Sequence, residues 1–483
     1  MPAVDQRPVS DGMHRVAVVL GSAVLVAAIH ASYQFVVAPR YGYMGLTYES
    51  PDLPIYAVMV LLLLGIAALL PARLLRPADF LVWMLYVVVV IPALTISYLA
   101  RTVSDQTQLM LGFVVAGCFA LAVVITRASS EWRPWRLPAL PVRVFWILVC
   151  LFSACTYLLL AATGSLTLSL PGLGQVYAAR SAFADTASSH RLLAYLVPNQ
   201  SAVINPMLMA IGIGRRKPWL VVAGIVGNLL LYGVAGNKSV LFSIPAVLIA
   251  AYLFRGGRRP GGGVVAWGVA AFVLGGAVLD LLLRTPLVTG LVTRRVMDVP
   301  GFLTGAWVAT FLDQPKAHFA YSFLSPFLTY PYPVTPPFVV SQNVFGVPTV
   351  NANANLFADG FANFGWLGML FETLVLIVIL VVANASRHRI PLASAVMVLV
   401  VPGFSMTNSS VLTSLLTHGV ALTLLIVLFA PTSVWWREPE PAIDQGAVGT
   451  AGASDRLPAP GPSWWQRAKQ SAGPPAAATS QGG

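Results

Sequence analysis

The run FGWLGMLFETLVLIVILVVAN, residues 364–384, carries one charged side chain, Glu372, in 21 positions. At about 1.5 Å of rise per residue, a helix of that length matches the roughly 30 Å hydrocarbon core of a bilayer. Eleven other stretches read the same way, at 16–37, 55–72, 80–100, 109–126, 144–163, 195–214, 219–235, 239–254, 264–284, 390–406 and 412–434. The whole chain agrees with them. Its 483 residues are 57% hydrophobic and 10% charged, with a mean hydropathy of +0.78, whereas soluble domains are about 25% charged. So much apolar surface does not fit inside one soluble core, which excludes a soluble enzyme, a disordered chain, a collagen and a secreted disulfide scaffold. The runs are longer than barrel strands need. The fold class is therefore all-α, a polytopic membrane protein with about twelve transmembrane helices.

Charge sets the orientation. The net charge of +12 comes from 29 Lys and Arg against 17 Asp and Glu, but the basic residues form no nucleic-acid-binding stripe. They sit in short runs between apolar stretches: Arg73 and Arg76; Arg127, Arg133, Arg136 and Arg143; Arg215 to Lys217; Arg255, Arg258 and Arg259; Arg387 and Arg389. With the N-terminus inside, 20 Lys and Arg fall on the inner side and nine on the outer: Arg40, Arg101, Arg180, Arg191, Lys238, Arg284, Arg294, Arg295 and Lys316. This positive-inside imbalance predicts a plasma-membrane protein with both termini in the cytoplasm. The first run is too long for the apolar region of a leader and reads as an uncleaved anchor. Cys118, Cys150 and Cys155 lie in apolar stretches without disulfide or metal spacing.

The chain divides into a cytoplasmic N-terminus (1–15), a transmembrane domain (16–436) and a Pro/Ala/Gly/Ser-rich tail (437–483) whose composition predicts disorder. Two outer segments are substantial, 164–194 and 285–363. The second lies between the ninth and tenth spans, and connections of its length are usually functional. This second segment, rich in aromatics and proline as in YSFLSPFLTYPYPVTPPF, is expected to lie against the membrane surface with short helices. Function is therefore expected on the outer face.

Cations retained outside, against the bias, are the first candidates: Arg180 in VYAARSAF, Lys238 in the short GNKS turn, and the Arg294/Arg295 pair in VTRRVMD. A cation at the membrane boundary often marks an anion site, and guanidinium forks with a compact ammonium suit a diphosphate. The alternative is snorkelling to water or salt bridging, which is the reading for Arg284, one helical turn after Asp280. A second group is NANANLFADGFANFGWLG, 351–368. Asn353 and Asn355 alternate as in an extended segment that points both amides one way, Asp359 follows, and Gly360, Gly365 and Gly368 allow close backbone approach. Amides and a carboxylate beside aromatic rings suit a sugar; the alternative is that they cap the next helix. The third group, LDQPKAHFAY, holds Asp313, Lys316 and His318, and His318 is a candidate base. Glu372 is unusual within a span, and His30 and His418 read as interhelical hydrogen-bonders.

No Walker A, HExxH, CxxC, GxSxG or DxD pattern occurs, so no nucleotide cofactor and no metal are expected. No relay of Asp and Glu crosses successive spans, which argues against a proton-coupled transporter.

Three stretches taken in order resemble the Wzy-type oligosaccharide repeat-unit (O-antigen) polymerase family: VYAARSAF with YLVPNQSAVINPMLMAIGI, then LLLYGVAGNKSVLFSIP, then the large loop ending in NANANLFADGFANFGWLGMLF. YGYMGLTYES and RPADFLVWMLYVVVVIP are similar too, and the likeness covers most of residues 40–430. The resemblance implies a fold like the metal-independent, lipid-linked glycosyltransferases of the C type. It implies an undecaprenyl-diphosphate-linked glycan as substrate, with a flippase and a chain-length regulator as partners. The family's basic residues fall on Arg180, Lys238 and Arg294/Arg295, and an R-x10-G pattern runs from Arg294 to Gly305. The loop histidine of related ligases corresponds to His318. Arg and Lys would neutralise the departing diphosphate while Asp359 or His318 takes the acceptor's proton. A ligase shares nearly all these features, and a flippase or transporter shares the number of spans.

Overall fold

The computed structural model describes residues 9–129, 137–167, 175–322, 324–353 and 355–435. Arg133, Arg136 and the tail from 437 onward lie outside the described residues, as does the expectation of disorder there. The chain runs through α1 (Gly12–Met44), α2 (Leu53–Leu69), α3 (Pro77–Leu99), α4 (Asp105–Ala128), α5 (Val142–Ala162), α6 (Val176–Ser189), α7 (Leu193–Arg215), α8 (Pro218–Ala235), α9 (Lys238–Gly257), α10 (Gly262–Leu282), α11 (289–311), α12 (Pro336–Phe345), α13 (Leu356–His388), α14 (Leu392–Ser405), α15 (Val411–Leu416) and α16 (Val420–Phe429). Among the described residues no β-strand forms, and a single isolated bridge joins Arg73 to Gly261.

Nine of these helices (α1, α3, α4, α5, α7 to α10 and α13) are long and apolar enough to cross a bilayer, while α2, α14 and α16 are shorter apolar helices. Of the twelve runs expected from sequence, the one at 412–434 is divided at Gly419 into α15 and α16, and each of the other eleven has a single helix at its place. Their outward faces are apolar: Leu61, Val124, Ile147, Leu151, Val226, Phe272 and Val378 are all exposed. Exposed apolar surface on that scale belongs in lipid, and the chain is an all-helical, membrane-embedded protein.

Small residues let the helices approach, as expected where apolar burial does not distinguish neighbour from lipid. α1 packs along α10, where a Cβ at Gly21 would meet the Trp267 ring at 2.9 Å. α7 meets α8 where Gly224 faces the Asn205 carbonyl. Buried amides join α7, α8 and α9: Gln200 donates to Asn205 at 2.9 Å, Asn205 to Asn228 at 2.8 Å, and Asn228 to Ser243 at 2.7 Å.

The basic loops gather at one end. The Leu74 N–H donates to the Pro260 carbonyl, Arg73 bonds His14 at 2.8 Å, Arg127 caps Leu69 and Arg389 caps Leu428. At the opposite end lies the large connection, and its first third departs from expectation. Residues 289–311 form α11, a buried helix with Trp307 and Phe311 almost wholly enclosed. Its start touches Tyr41 and the end of α10, and Gly305 packs on Ser97 and Thr102 at the end of α3. Both of its ends thus stay at the arginine-poor end, and the helix is folded into the bundle rather than laid on the surface. The apolar stretch VPGFLTGAWVATF gives the reason. The Arg284–Asp280 pairing is also corrected, because Asp280 instead accepts the Val288 and Thr289 N–H groups at 2.9 and 2.7 Å, capping α11.

Candidate functional site

α13 is broken near its start. Phe364 (φ −143°, ψ 23°) and Gly365 (φ 62°, ψ −144°) leave helical geometry, so an eight-residue half-helix, 356–363, turns into the long apolar remainder. Gly365 lies in backbone space that residues with a side chain rarely enter. The two halves fold onto each other, and a Cβ at Gly360 would lie 2.5 Å from the Gly368 carbonyl oxygen. The break frees backbone carbonyls, and the loop after α11 satisfies them: the Ala317 N–H donates to Ala362 O at 2.9 Å and the His318 N–H to Asn363 O at 3.3 Å. His318 and Phe319 hold positive φ, 50° and 55°, to make this strap. Such backbone strain persists only where the surroundings enforce it.

Asp359 stands one turn into the half-helix, 6% exposed. The Tyr321 hydroxyl donates to its Oδ1 at 2.7 Å. The Asn363 amide nitrogen lies 3.0 Å from its Oδ2, 2.9 Å from its carbonyl oxygen and 3.1 Å from the Tyr321 hydroxyl. Asn363 Oδ1 accepts the Phe319 N–H at 2.6 Å, which ties the strap to the carboxylate. Two turns beyond the break, buried Glu372 accepts from Ser410 Oγ and the Val411 N–H, both at 2.9 Å. Burial, and then the negative charge of Asp359, pushes the Tyr321 hydroxyl pKa well above its ordinary value. Over this cluster runs an aromatic strip, with Tyr321, Tyr330 and Tyr332 ring centroids 5.7 and 5.6 Å apart in sequence.

Lys316 closes the cluster's edge. Its ammonium caps the Phe311 and Leu312 carbonyls and sits 4.7 Å over the Phe361 ring. Desolvation lowers its pKa, and nearby Asp313 opposes the shift. His318 is exposed, its ring 5.2 Å from Phe364. Lys316 and His318 thus flank the two sides of the break in α13, Lys316 over Phe361 and His318 against Phe364.

Other expected groupings are rearranged. Asn355 is fully buried as the cap of α13, accepting the Phe357 and Ala358 N–H groups and donating to Thr304 at 2.7 Å. Asn353 is exposed. The two amides therefore do not present a common face, because the segment bends into the helix cap instead of continuing extended. The basic residues fall into two places. The Gly236 turn packs on the start of α6, with the Arg180 backbone nitrogen 3.2 Å from where a Cβ would stand, so Arg180 and Lys238 share one corner. Arg294 is 9% exposed, its guanidinium 4.2 Å over the Tyr41 ring, and Arg295 points the other way into the open. The pair divides because it lies on one helical face boundary.

Sequence reasoning singled out Asp359, His318 and Glu372 but missed Tyr321, Asn363 and Ser410. The only local signal for Asn363 was its place beside Gly365, in FANFG. His30 behaves as expected, bonded to Tyr56 and Tyr48 at 2.9 and 3.3 Å. Set against protein-family models, curated proteins and solved structures, the chain matches none.

Proposed function

We propose that the protein is a membrane-embedded glycosyltransferase that polymerises undecaprenyl-diphosphate-linked oligosaccharide repeat units on the outer face of the plasma membrane. The observation that carries this reading is Asp359, a carboxylate held by Tyr321 and Asn363 beneath a tyrosine strip, at the end where basic residues are scarce. By the positive-inside rule that end faces outward. Aromatic faces suit the C–H side of a sugar, and a carboxylate in a dry site suits a general base.

In the proposed step an acceptor hydroxyl oxygen attacks the anomeric carbon. The bond from that carbon to the diphosphate oxygen breaks, the diphosphate leaves with the electron pair, and Asp359 takes the hydroxyl proton. Arg180 and Lys238 are the cations for the departing diphosphate. Lys238 is the first residue of α9, where the helix dipole opposes a cation by about 0.3–1 kcal/mol at an exposed position. A residue placed against that gradient has a use other than helix stability. His318, on the strap, stands ready to contact the glycan.

A second reading has its own support. Broken helices are a recurrent device of transporters, and α13, with buried Asp359 before its break and buried Glu372 after it, fits that description. The deciding experiment supplies purified protein in vesicles with undecaprenyl-diphosphate repeat units and resolves the lipid-linked products by size. A ladder is expected from the native protein. Asp359→Asn should lower its rate by about 10²–10⁴-fold, the usual worth of a general base, and exposed Asp313→Asn should leave it intact. Unextended units that cross the bilayer would favour the transporter, and transfer onto an unrelated acceptor would favour a ligase.

A further inference from the structure

The arginine-rich end holds a cavity of about 1340 Å³ that the transfer chemistry does not use. It lies between α7, α8 and α9, the turn after α9 and the turn between α13 and α14. Six arginines line it: Arg216, Arg255, Arg258, Arg259, Arg387 and Arg389. They come from three separate loops, so a single basic run does not account for their convergence. Much of the remaining lining is apolar, with Val221, Leu248, Pro391 and Met397 among it. Two wall residues, Val222 and Leu248, are 57% and 43% exposed on the outward faces of α8 and α9. The cavity therefore opens sideways into the belt that faces lipid. Trp435 also lines it, 1% exposed.

We infer that this cavity binds an anionic phospholipid, with the headgroup phosphate among the arginines and an acyl chain along the wall of Val221, Leu248 and Met397. Guanidinium forks match phosphate oxygens bidentately. Basic pockets between membrane helices are suited to anionic headgroups. Size argues against a free inorganic ion. Liquid water occupies about 30 Å³ per molecule, so a phosphate would leave most of the cavity as empty apolar wall. The side opening gives a chain from the bilayer a direct way in.

The test is native mass spectrometry of the full-length protein released from detergent, with phosphatidylglycerol, phosphatidylcholine or inorganic phosphate added. Phosphatidylglycerol is expected to remain bound, phosphatidylcholine to be held at least tenfold more weakly, and inorganic phosphate in millimolar excess to displace neither. Arg258→Gln with Arg259→Gln should cut phosphatidylglycerol retention about tenfold, while Arg40→Gln with Arg191→Gln, at the other end, should not. Leu248→Trp narrows the cavity from its exposed side and leaves every arginine in place; it should lower retention as well. Equal retention by the two charge variants, equal retention of the two lipids, or displacement by phosphate alone would each overturn the assignment. A thermal unfolding midpoint shared by all variants establishes that lost retention is not lost fold.

Discussion

Asn363 does more than any neighbouring side chain to hold the candidate site together. Its amide serves Asp359 and Tyr321 on one side, and its carbonyl takes the Phe319 N–H of the strap on the other. Asn363→Ala leaves the buried Phe319 N–H without a partner and strips a donor from Asp359, for an expected loss of about 1–3 kcal/mol. Tyr321→Phe removes one hydrogen bond and should cost nearer 1 kcal/mol at neutral pH. Thermal unfolding in detergent ranks the two, and a smaller effect for Asn363→Ala would show that the strap is not anchored there. Tyr321 also makes a pH prediction. Its folded pKa is raised, so the unfolded chain loses the phenol proton first, near pH 10. The stability it contributes is therefore complete below pH 10 and falls as pH rises through the folded value, by up to about 1.4 kcal/mol per pH unit. Tyr321→Phe should flatten the alkaline side of the stability profile by that one proton. At this scale the sequence exposed the charged members of the site, since a carboxylate beside a span is conspicuous. It concealed Tyr321 and Asn363, whose roles depend on contacts 38 to 44 residues apart in the chain.

Among elements, α13 joins what was legible to what was not. Its apolar length announced a helix, and Asn355 before the run was legible as a cap. The fold-back at Phe364 and Gly365 was not, because a glycine in an apolar run reads equally as a helix contact or a break. The same limit hid α11, whose polar start, TGLVTRRVMD, disguised a helix that is buried through tertiary packing. Glycine substitutions separate these cases. Gly365→Ala puts a side chain at φ 62° and should cost about 1–3 kcal/mol. Gly368→Ala drives a Cβ into the Gly360 carbonyl, and overpacking of this kind also costs about 1–3 kcal/mol. Gly268, inside α10, has nothing within 4 Å of its Cβ position; Gly268→Ala should be neutral or stabilising by up to about 1 kcal/mol. Unfolding midpoints for the three variants report this directly. A Gly365→Ala protein as stable as Gly268→Ala would mean that α13 runs unbroken.

Over the whole molecule, the two ends differ in charge and in how the core is built. One large hydrophobic core spans α1 to α5 and α7 to α16 and surrounds the Asp359 half-helix through Phe357 and Phe361. A smaller one, around Leu160, Val176, Leu193 and Leu231, carries the corner with Arg180 and Lys238. A single lipid-linked substrate engaging Lys238 and Asp359 together must therefore bridge the two cores, and the bundle's orientation decides whether it reaches them from outside. That orientation is testable without any assay of activity. In a chain whose Cys118, Cys150 and Cys155 are replaced, a cysteine is placed either at Ser188, exposed on α6 beside that corner, or at Lys217, exposed among the basic loops. The positive-inside bias requires a membrane-impermeant maleimide to label Ser188→Cys in intact cells, and to reach Lys217→Cys only once the membrane is opened. The reverse pattern would turn the bundle over, put Asp359 and the tyrosine strip on the cytoplasmic side, and exclude a polymerase that works on the outer face.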